Sequence, residues 1–113
     1  VEYFREFALR AEANGIKDWI LDPGFGFAKT LEQNYELMQG LDQIREAFPE
    51  LPVLVGVSRK SMIYRLLDTD ADHALNGTSV LNTYALMHGA SILRVHDVRE
   101  AVEAVRICAL LRQ

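Results

Sequence analysis

The sequence predicts a parallel α/β fold, and three observations carry that prediction. Helical and strand-like segments alternate in the order α-βα-βα-βα, the pattern of a parallel sheet with helices outside. The strand segments are apolar runs without polar alternation, as strands covered on both faces require. The clusters of polar, chemistry-bearing residues all fall where a strand hands over to a helix, beyond the carboxyl ends where parallel α/β enzymes place their chemistry.

Each element has a local reason. Val1, Phe4, Phe7, Ala8 and Ala11 recur at helical spacing, and Gly15 follows as a stop. Ile16 to Leu21 reads as a buried strand, with Trp19 as packing. Thr30 begins a second helix, with Gln33 at capping-box spacing. Its buried stripe is Leu37, Leu41, Ile44 and Phe48, closed by Pro49 and Pro52. Val53 to Val57 is the second strand. A short helix from about Lys60 to Leu67 leads to the acidic loop Asp68-Thr69-Asp70. A longer helix runs from about Asp72 to His88, stopped by Gly89. Ser91 to Val95 is the third strand. The last helix opens at Asp97, with Glu100 three residues later, and is expected to bury Val98, Ala101, Val102, Val105 and Ala109.

The bulk numbers narrow the classes of function. The 113 residues make one domain at most, so residues 1–113 are expected to be a portion of a single domain with no second one. Half the residues are apolar and a quarter charged, as in ordinary globular chains. The net charge of −4, without a lysine- or arginine-rich stripe, argues against non-specific nucleic-acid binding. No apolar stretch approaches the ~20 residues that span a bilayer, and no signal segment opens the chain. The lone Cys108 fits a reducing cytoplasm and reads as a buried structural thiol. The chain opens at Val1 within a helical pattern and without an initiator methionine, as expected of a fragment. Three βα units cannot close a barrel, which takes eight units and about 250 residues. Alone they would leave two open sheet edges. Such a chain is expected to need the rest of its barrel.

The first cluster is Asp22-Pro-Gly-Phe-Gly-Phe-Ala-Lys-Thr30. A carboxylate at a strand end can accept two parallel hydrogen bonds from an amino group and ring N–H of a guanidine-like heterocycle. It can equally cap its own turn. Gly24 and Gly26 permit a tight turn and close ligand approach. Phe25 and Phe27 offer aromatic faces, with Phe25 read as core. Lys29 reads as a solvated charge. The second cluster, Val57-Ser58-Arg59-Lys60-Ser61, sits at a helix N-terminus that favours anions, and Lys60 adds a mobile positive charge. Its plainer reading has Ser58 as N-cap with Arg59 and Lys60 solvated. The third cluster is Arg94-Val95-His96-Asp97. Arg94 and His96, two apart on a strand, share a face. An arginine on an inner strand needs a counter-charge, which an anion at the barrel mouth or an internal pair with Asp22 would supply. Asp97 reads as a helix cap. His73 and His88 lack metal-ligand spacing and read as structural or surface residues. Walker, HExxH, paired-cysteine and nucleophile-elbow motifs are absent from the sequence.

Asp22-Pro-Gly-Phe-Gly-Phe, Ser58-Arg59-Lys60-Ser61 and Arg94-Val95-His96-Asp97 resemble, in order and spacing, three C-terminal signatures of the dihydropteroate synthase family of folate biosynthesis. Ala28 stands where that family often has glycine. The resemblance implies the C-terminal part, about three βα units, of a TIM (β/α)8 barrel, and condensation of 6-hydroxymethyl-7,8-dihydropterin pyrophosphate with p-aminobenzoate, giving 7,8-dihydropteroate and pyrophosphate. It implies a catalytic set of Lys60, Arg94 and His96, and a substrate-binding set of Asp22, Phe27, Gly56, Lys60, Ser61, Arg94 and His96. Asp22 would hydrogen-bond the pterin's amino-pyrimidine edge, and Lys60 its carbonyl side. Arg94 would stack on the pterin and, with His96, bind the departing pyrophosphate. Phe27 and Ser61 would contact p-aminobenzoate.

The resemblance further implies Mg2+ with the pyrophosphate, its main protein ligand lying outside this chain, and a homodimer through C-terminal barrel helices. Other pterin contacts in this family come from earlier strands, so the chain alone is expected to be inactive. Two rivals remain. One is a pterin-binding methyltransferase acting on methyltetrahydrofolate, which needs no pyrophosphate site. The other is a non-catalytic pterin-binding or assembly homologue.

Overall fold

The computed structural model describes residues 20–26 and 29–112. The expected first helix, most of the first strand, Trp19, Phe27 and Ala28 lie outside the described residues. Three chain segments run side by side in sequence order. Leu21 bridges Val53 in parallel, and strand β1 (Leu54–Val55) pairs in parallel with β2 (Ile92–Leu93), with Leu54 opposite Ile92 and Val55 opposite Leu93. Consecutive parallel neighbours are what successive βα units produce. The regular ladder is shorter than the apolar runs because the chain bends into polar loops just past it. Pairing still reaches the Arg94 N–H, which donates to the Val55 carbonyl at 2.9 Å.

Helices enclose this ladder. Thr30 holds extended backbone and exchanges hydrogen bonds with Gln33, the expected capping box, at 2.9 and 3.1 Å. The helix that follows is not one but two, α1 (Leu31–Gln39) and α2 (Leu41–Ala47). Gly40 makes the break. Its N–H closes α1 on the Glu36 and Leu37 carbonyls, while its own carbonyl accepts from Ile44 and opens α2. Leu41 and Ile44 are buried as expected, Leu37 and Phe48 only partly, and Met38 joins the core.

Helix α3 (Ser61–Tyr64) buries Met62 and Ile63 and then loosens into a turn ending at Asp68, where φ is +55°. The predicted start of the next helix at Asp72 falls instead in a 3-10 turn, Ala71–His73. Asp70 caps that turn, and α4 (Leu75–Met87) follows. Gly89 then turns with φ +120°, the expected stop.

The last helix, α5 (Val98–Leu111), corrects the predicted burial. Ala101 is buried and Cys108 is a buried free thiol, but Val98, Val102, Val105 and Ala109 are exposed. The three valines line an open groove of about 580 Å³ with Leu93 and Val95, and no described element covers it. The stripe is apolar as read, but burial needs a partner surface as well as a pattern. No described helix is long and apolar enough to cross a membrane.

Candidate functional site

Three loops leave the same end of the parallel segments, and each begins one of the three sequence clusters. The first is shaped by backbone capping. The Asp22 carboxylate accepts from the Gly24 N–H at 2.9 Å, and Gly24 takes φ +78°. Asn34, buried on α1, holds both polar groups of Gly26. Its Oδ1 accepts from the Gly26 N–H and its Nδ2 donates to the Gly26 carbonyl, each at 3.1 Å. Lys29 is more than a solvated charge, since its Nζ donates to the Gly24 carbonyl at 2.7 Å. Phe25 is buried in the core, as read from the sequence. Asn34 was not singled out from the sequence, although a polar residue inside an apolar stripe one turn past a cap is its signal.

The second loop runs from Gly56 to Lys60. Ser58 is not the N-cap. It is buried, and its Oγ accepts from the His96 N–H at 3.1 Å, while Lys60 occupies the cap position without a side-chain capping bond to the helix. Nor is Arg59 solvated. It adopts φ +52° and its guanidinium forks onto Asp97 at 2.9 and 3.0 Å. Asp97 accordingly makes no side-chain cap for α5. The Arg59 guanidinium holds the Asp97 carboxyl below the usual carboxylate range.

Lys60 reaches across to the first loop, its Nζ donating to the Phe25 carbonyl at 2.6 Å. Burial pushes the Lys60 ammonium below the ordinary lysine value. Asp22 opposes that shift, and Arg94 and Lys29 add to it. A Cβ on Gly56 would lie 3.5 Å from Arg94 Cβ and 3.9 Å from Lys60 Nζ, so this glycine faces both cations.

The third loop brings Arg94 Nη2 to 3.5 Å from Asp22 Oδ2, the internal pair considered from sequence. Both side chains are largely exposed, at 67% and 45%, so the contact is loose and leaves the guanidinium fork open to a second partner. His96 is exposed and anchored through its backbone to Ser58.

Asp22, Gly56, Lys60 and Arg94 thus meet at one mouth. Ser61 lines an adjoining cleft of about 600 Å³ with Gly24, Phe25, Gly26, Lys60 and Tyr64. Phe27 lies outside the described residues. His73 pairs with Asp70, and His88 pairs with Asp42 while stacking on Tyr84, so both belong to the scaffold. Among the described residues no group of three or more His, Cys, Asp or Glu could hold a metal ion. One carboxylate and two cations around a glycine-floored mouth can grip a flat ring through its N–H edge while holding an anion beside it.

Comparison with known proteins gives this geometry a context. The profile of a family described as pterin binding enzyme matches residues 1–96. The chain is 47% identical over 107 residues to the dihydropteroate synthase of Escherichia coli K12, covering 93% of this chain and 37% of that protein. It is 37% identical to a bifunctional dihydropteroate synthase/dihydropteroate reductase of Helicobacter pylori, covering 98% of this chain and 29% of that one. The chain therefore spans about a third of the length of these curated relatives. Among solved structures, a Yersinia pestis dihydropteroate synthase superposes with a TM-score of 0.91 at 42% identity, covering 98% of this chain and 52% of that one. A Coxiella burnetii dihydropteroate synthase in complex with pteroic acid gives 0.91 at 36% identity, covering 99% and 42%.

Proposed function

The chain belongs to the family of pterin-binding enzymes, and we propose that it is the C-terminal part of the (β/α)8 barrel of a dihydropteroate synthase. The observation that carries this reading is the convergence of Asp22, Lys60 and Arg94 from three consecutive loops onto one mouth floored by Gly56. The relatives' complexes support it, since the C. burnetii protein holds pteroic acid and a Thermus thermophilus synthase holds 6HMPPP. The protein carrying this chain would join p-aminobenzoate to a dihydropterin pyrophosphate, releasing pyrophosphate. The chain alone is inactive in this reading, because further pterin contacts come from earlier strands.

The physics suits these roles. Breaking the bond between the pterin methylene and pyrophosphate leaves positive charge spread over an electron-rich ring and negative charge on the leaving oxygen. Arg94 and His96 would receive the anion. The Asp22 carboxylate would bind the ring's amino edge and favour its cationic form. Lys60 would hold the carbonyl side, where its lowered proton affinity still leaves it a donor. Fixed charges aimed at developing charge typically contribute about 10²–10³ in rate. The amine of p-aminobenzoate attacks the methylene, so no side chain acts as nucleophile. Phe27 and Ser61 would contact the p-aminobenzoate.

Mg2+ would accompany the pyrophosphate, but the described residues offer no cluster that fits it. Its main ligand is assigned outside this chain. A homodimer through the C-terminal helices would cover Ile107, Leu110 and Leu111 of α5, all exposed. The cytoplasm suits the free thiol of Cys108.

The test is p-aminobenzoate-dependent pyrophosphate release by the protein that carries this chain, with Lys60→Ala and Arg94→Ala alongside. Turnover that collapses in both variants supports the synthase. Pterin binding without turnover would refute it, in favour of a methyltransferase or a non-catalytic homologue.

A further inference from the structure

We propose that Arg59 and Asp97 form a positioning clamp that sets the loop bearing Lys60 and Ser61 against the loop bearing Arg94 and His96. The catalytic arm of this inference rests on the synthase reading above.

Arg59 lies beside Lys60 and lines the cleft, so a direct role on substrate is the natural first thought. Its hydrogen bonds argue otherwise. Nε and Nη2 fork onto the two Asp97 oxygens at 2.9 and 3.0 Å. Nη1 donates to the Ala71 and Asp72 carbonyls at 2.9 and 3.2 Å. Four of the five guanidinium N–H groups are thereby committed to protein, and the partner carboxylate neutralises the charge an anion would seek.

Local geometry is arranged around this clamp. Arg59 holds φ +52°, a conformation L-residues rarely adopt. An observed backbone outlier of this kind is a pointer to function. The Arg59 N–H is held by the Thr78 hydroxyl on α4 at 3.0 Å. Asp97 stands at the N-cap of α5 but gives its carboxylate to Arg59 instead of to the helix. A second tie between the same loops, His96 N–H to Ser58 Oγ, lies one residue away on each strand exit. Together the two ties fix how far Lys60 stands from Arg94 and His96, the spacing on which charge stabilisation depends.

The test compares Arg59→Gly, Arg59→Lys, Asp97→Asn and the Arg59→Gly/Asp97→Asn double variant in the protein that carries this chain. Glycine accepts the unusual φ, so Arg59→Gly removes the clamp without backbone strain. Melting curves define a temperature at which every variant is folded. Misplacing reacting groups by about 1 Å costs about 100-fold, so each single variant should lose kcat on that scale while KM for p-aminobenzoate moves less than about threefold. Lysine should not rescue, because a point charge cannot fork. The double variant should be no worse than the poorer single.

Asp97→Asn at wild-type activity beside an inactive Arg59→Gly would overturn the clamp and make Arg59 a substrate contact. Near-normal kcat in all variants would overturn it too. Hydrogen exchange of the His96 amide supplies a readout independent of the reaction. It should speed up about tenfold or more in every variant, and unchanged exchange overturns the proposal. A wild-type protein that releases no pyrophosphate defeats only the synthase reading, and the exchange arm then decides the clamp.

Discussion

Gly77→Ala is a small change with a predictable cost, because the space for its methyl is already filled. Gly77 lies in the first turn of α4, and a Cβ there would meet Ile63 Cγ2 at 2.4 Å and Leu67 Cδ1 at 3.3 Å. Carbon atoms rest about 3.5–4.0 Å apart, so the Ile63 contact is short by more than 1 Å. Ile63 is 1% exposed, and its Cγ2 sits directly on Cβ, so it cannot swing aside. Overpacking of this kind costs about 1–3 kcal/mol. Alanine's helix propensity returns at most about 1 kcal/mol. The deep overlap puts the strain at the upper end, leaving a net loss of about 2 kcal/mol, a factor of about 30 in the folding equilibrium.

Urea unfolding measures that loss, and a second substitution tests its cause. Ile63→Leu moves the branch from Cβ to Cγ and removes the offending methyl, so Gly77→Ala/Ile63→Leu should recover most of the stability. Activity should follow, because α3 starts at Ser61 and displacing Ile63 displaces the helix that carries the site. A Gly77→Ala protein as stable as wild type would show that the contact between α3 and α4 yields freely, and the reasoning fails. Failure of Ile63→Leu to help would show that another atom bears the strain.

Asn34→Ala should cost about 1–3 kcal/mol, because it strips Gly26 of the side-chain partners for both its N–H and its carbonyl. Urea unfolding and faster limited proteolysis in the first loop check it. Asp22→Asn should push the Lys60 ammonium still lower, since Asp22 is the group that raises it. Competitive acylation of Lys60 against pH reads this, and an unmoved titration would refute the coupling. Lys60 has a depressed folded-state value, so the unfolded chain binds the extra proton between that value and the ordinary lysine one. The penalty on stability therefore fades as pH rises through that window, and Lys60→Met should flatten the alkaline limb of the stability curve. Asp97 behaves oppositely, contributing stability above the ordinary carboxylate range that is lost as pH falls through its depressed value. The stability gap between intact protein and Arg59→Gly should therefore narrow as pH falls through that value in urea unfolding at stepped pH, and a gap that stays constant would refute the linkage.

Much of the frame is legible residue by residue because its causes are local. The Thr30–Gln33 box, the buried Val53, Val55 and Val57, the core Phe25 and the Gly89 turn each follow from short-range chemistry. What escapes the sequence is set by partners distant along the chain. Asp97 has the right identity and position for a cap, yet it pairs with Arg59, 38 residues away, and a charge-assisted fork outcompetes a backbone N–H. Gly40 divides a continuous helical pattern, its N–H closing one helix while its carbonyl opens the next. The valines of α5 carry a core pattern with no described element to complete it.

The two ion pairs at this end of the fold differ in a way that separates holding from binding. Arg59 meets Asp97 in a two-pronged contact, with the side chains 25% and 21% exposed. Arg94 meets Asp22 through one 3.5 Å contact between side chains open to water. Water and salt screen the second pair, so little is lost when it opens. A ligand presenting ring N–H groups to Asp22 and negative oxygens to Arg94 would replace that weak pair with two charge-assisted contacts. The same ligand could free Arg59 only by stranding a carboxylate and two carbonyls. Sequence charge alone ranks Arg59, Lys60 and Arg94 as equals. Geometry commits the Arg59 guanidinium to protein partners and leaves Lys60 and Arg94 facing the open mouth, as their proposed roles require.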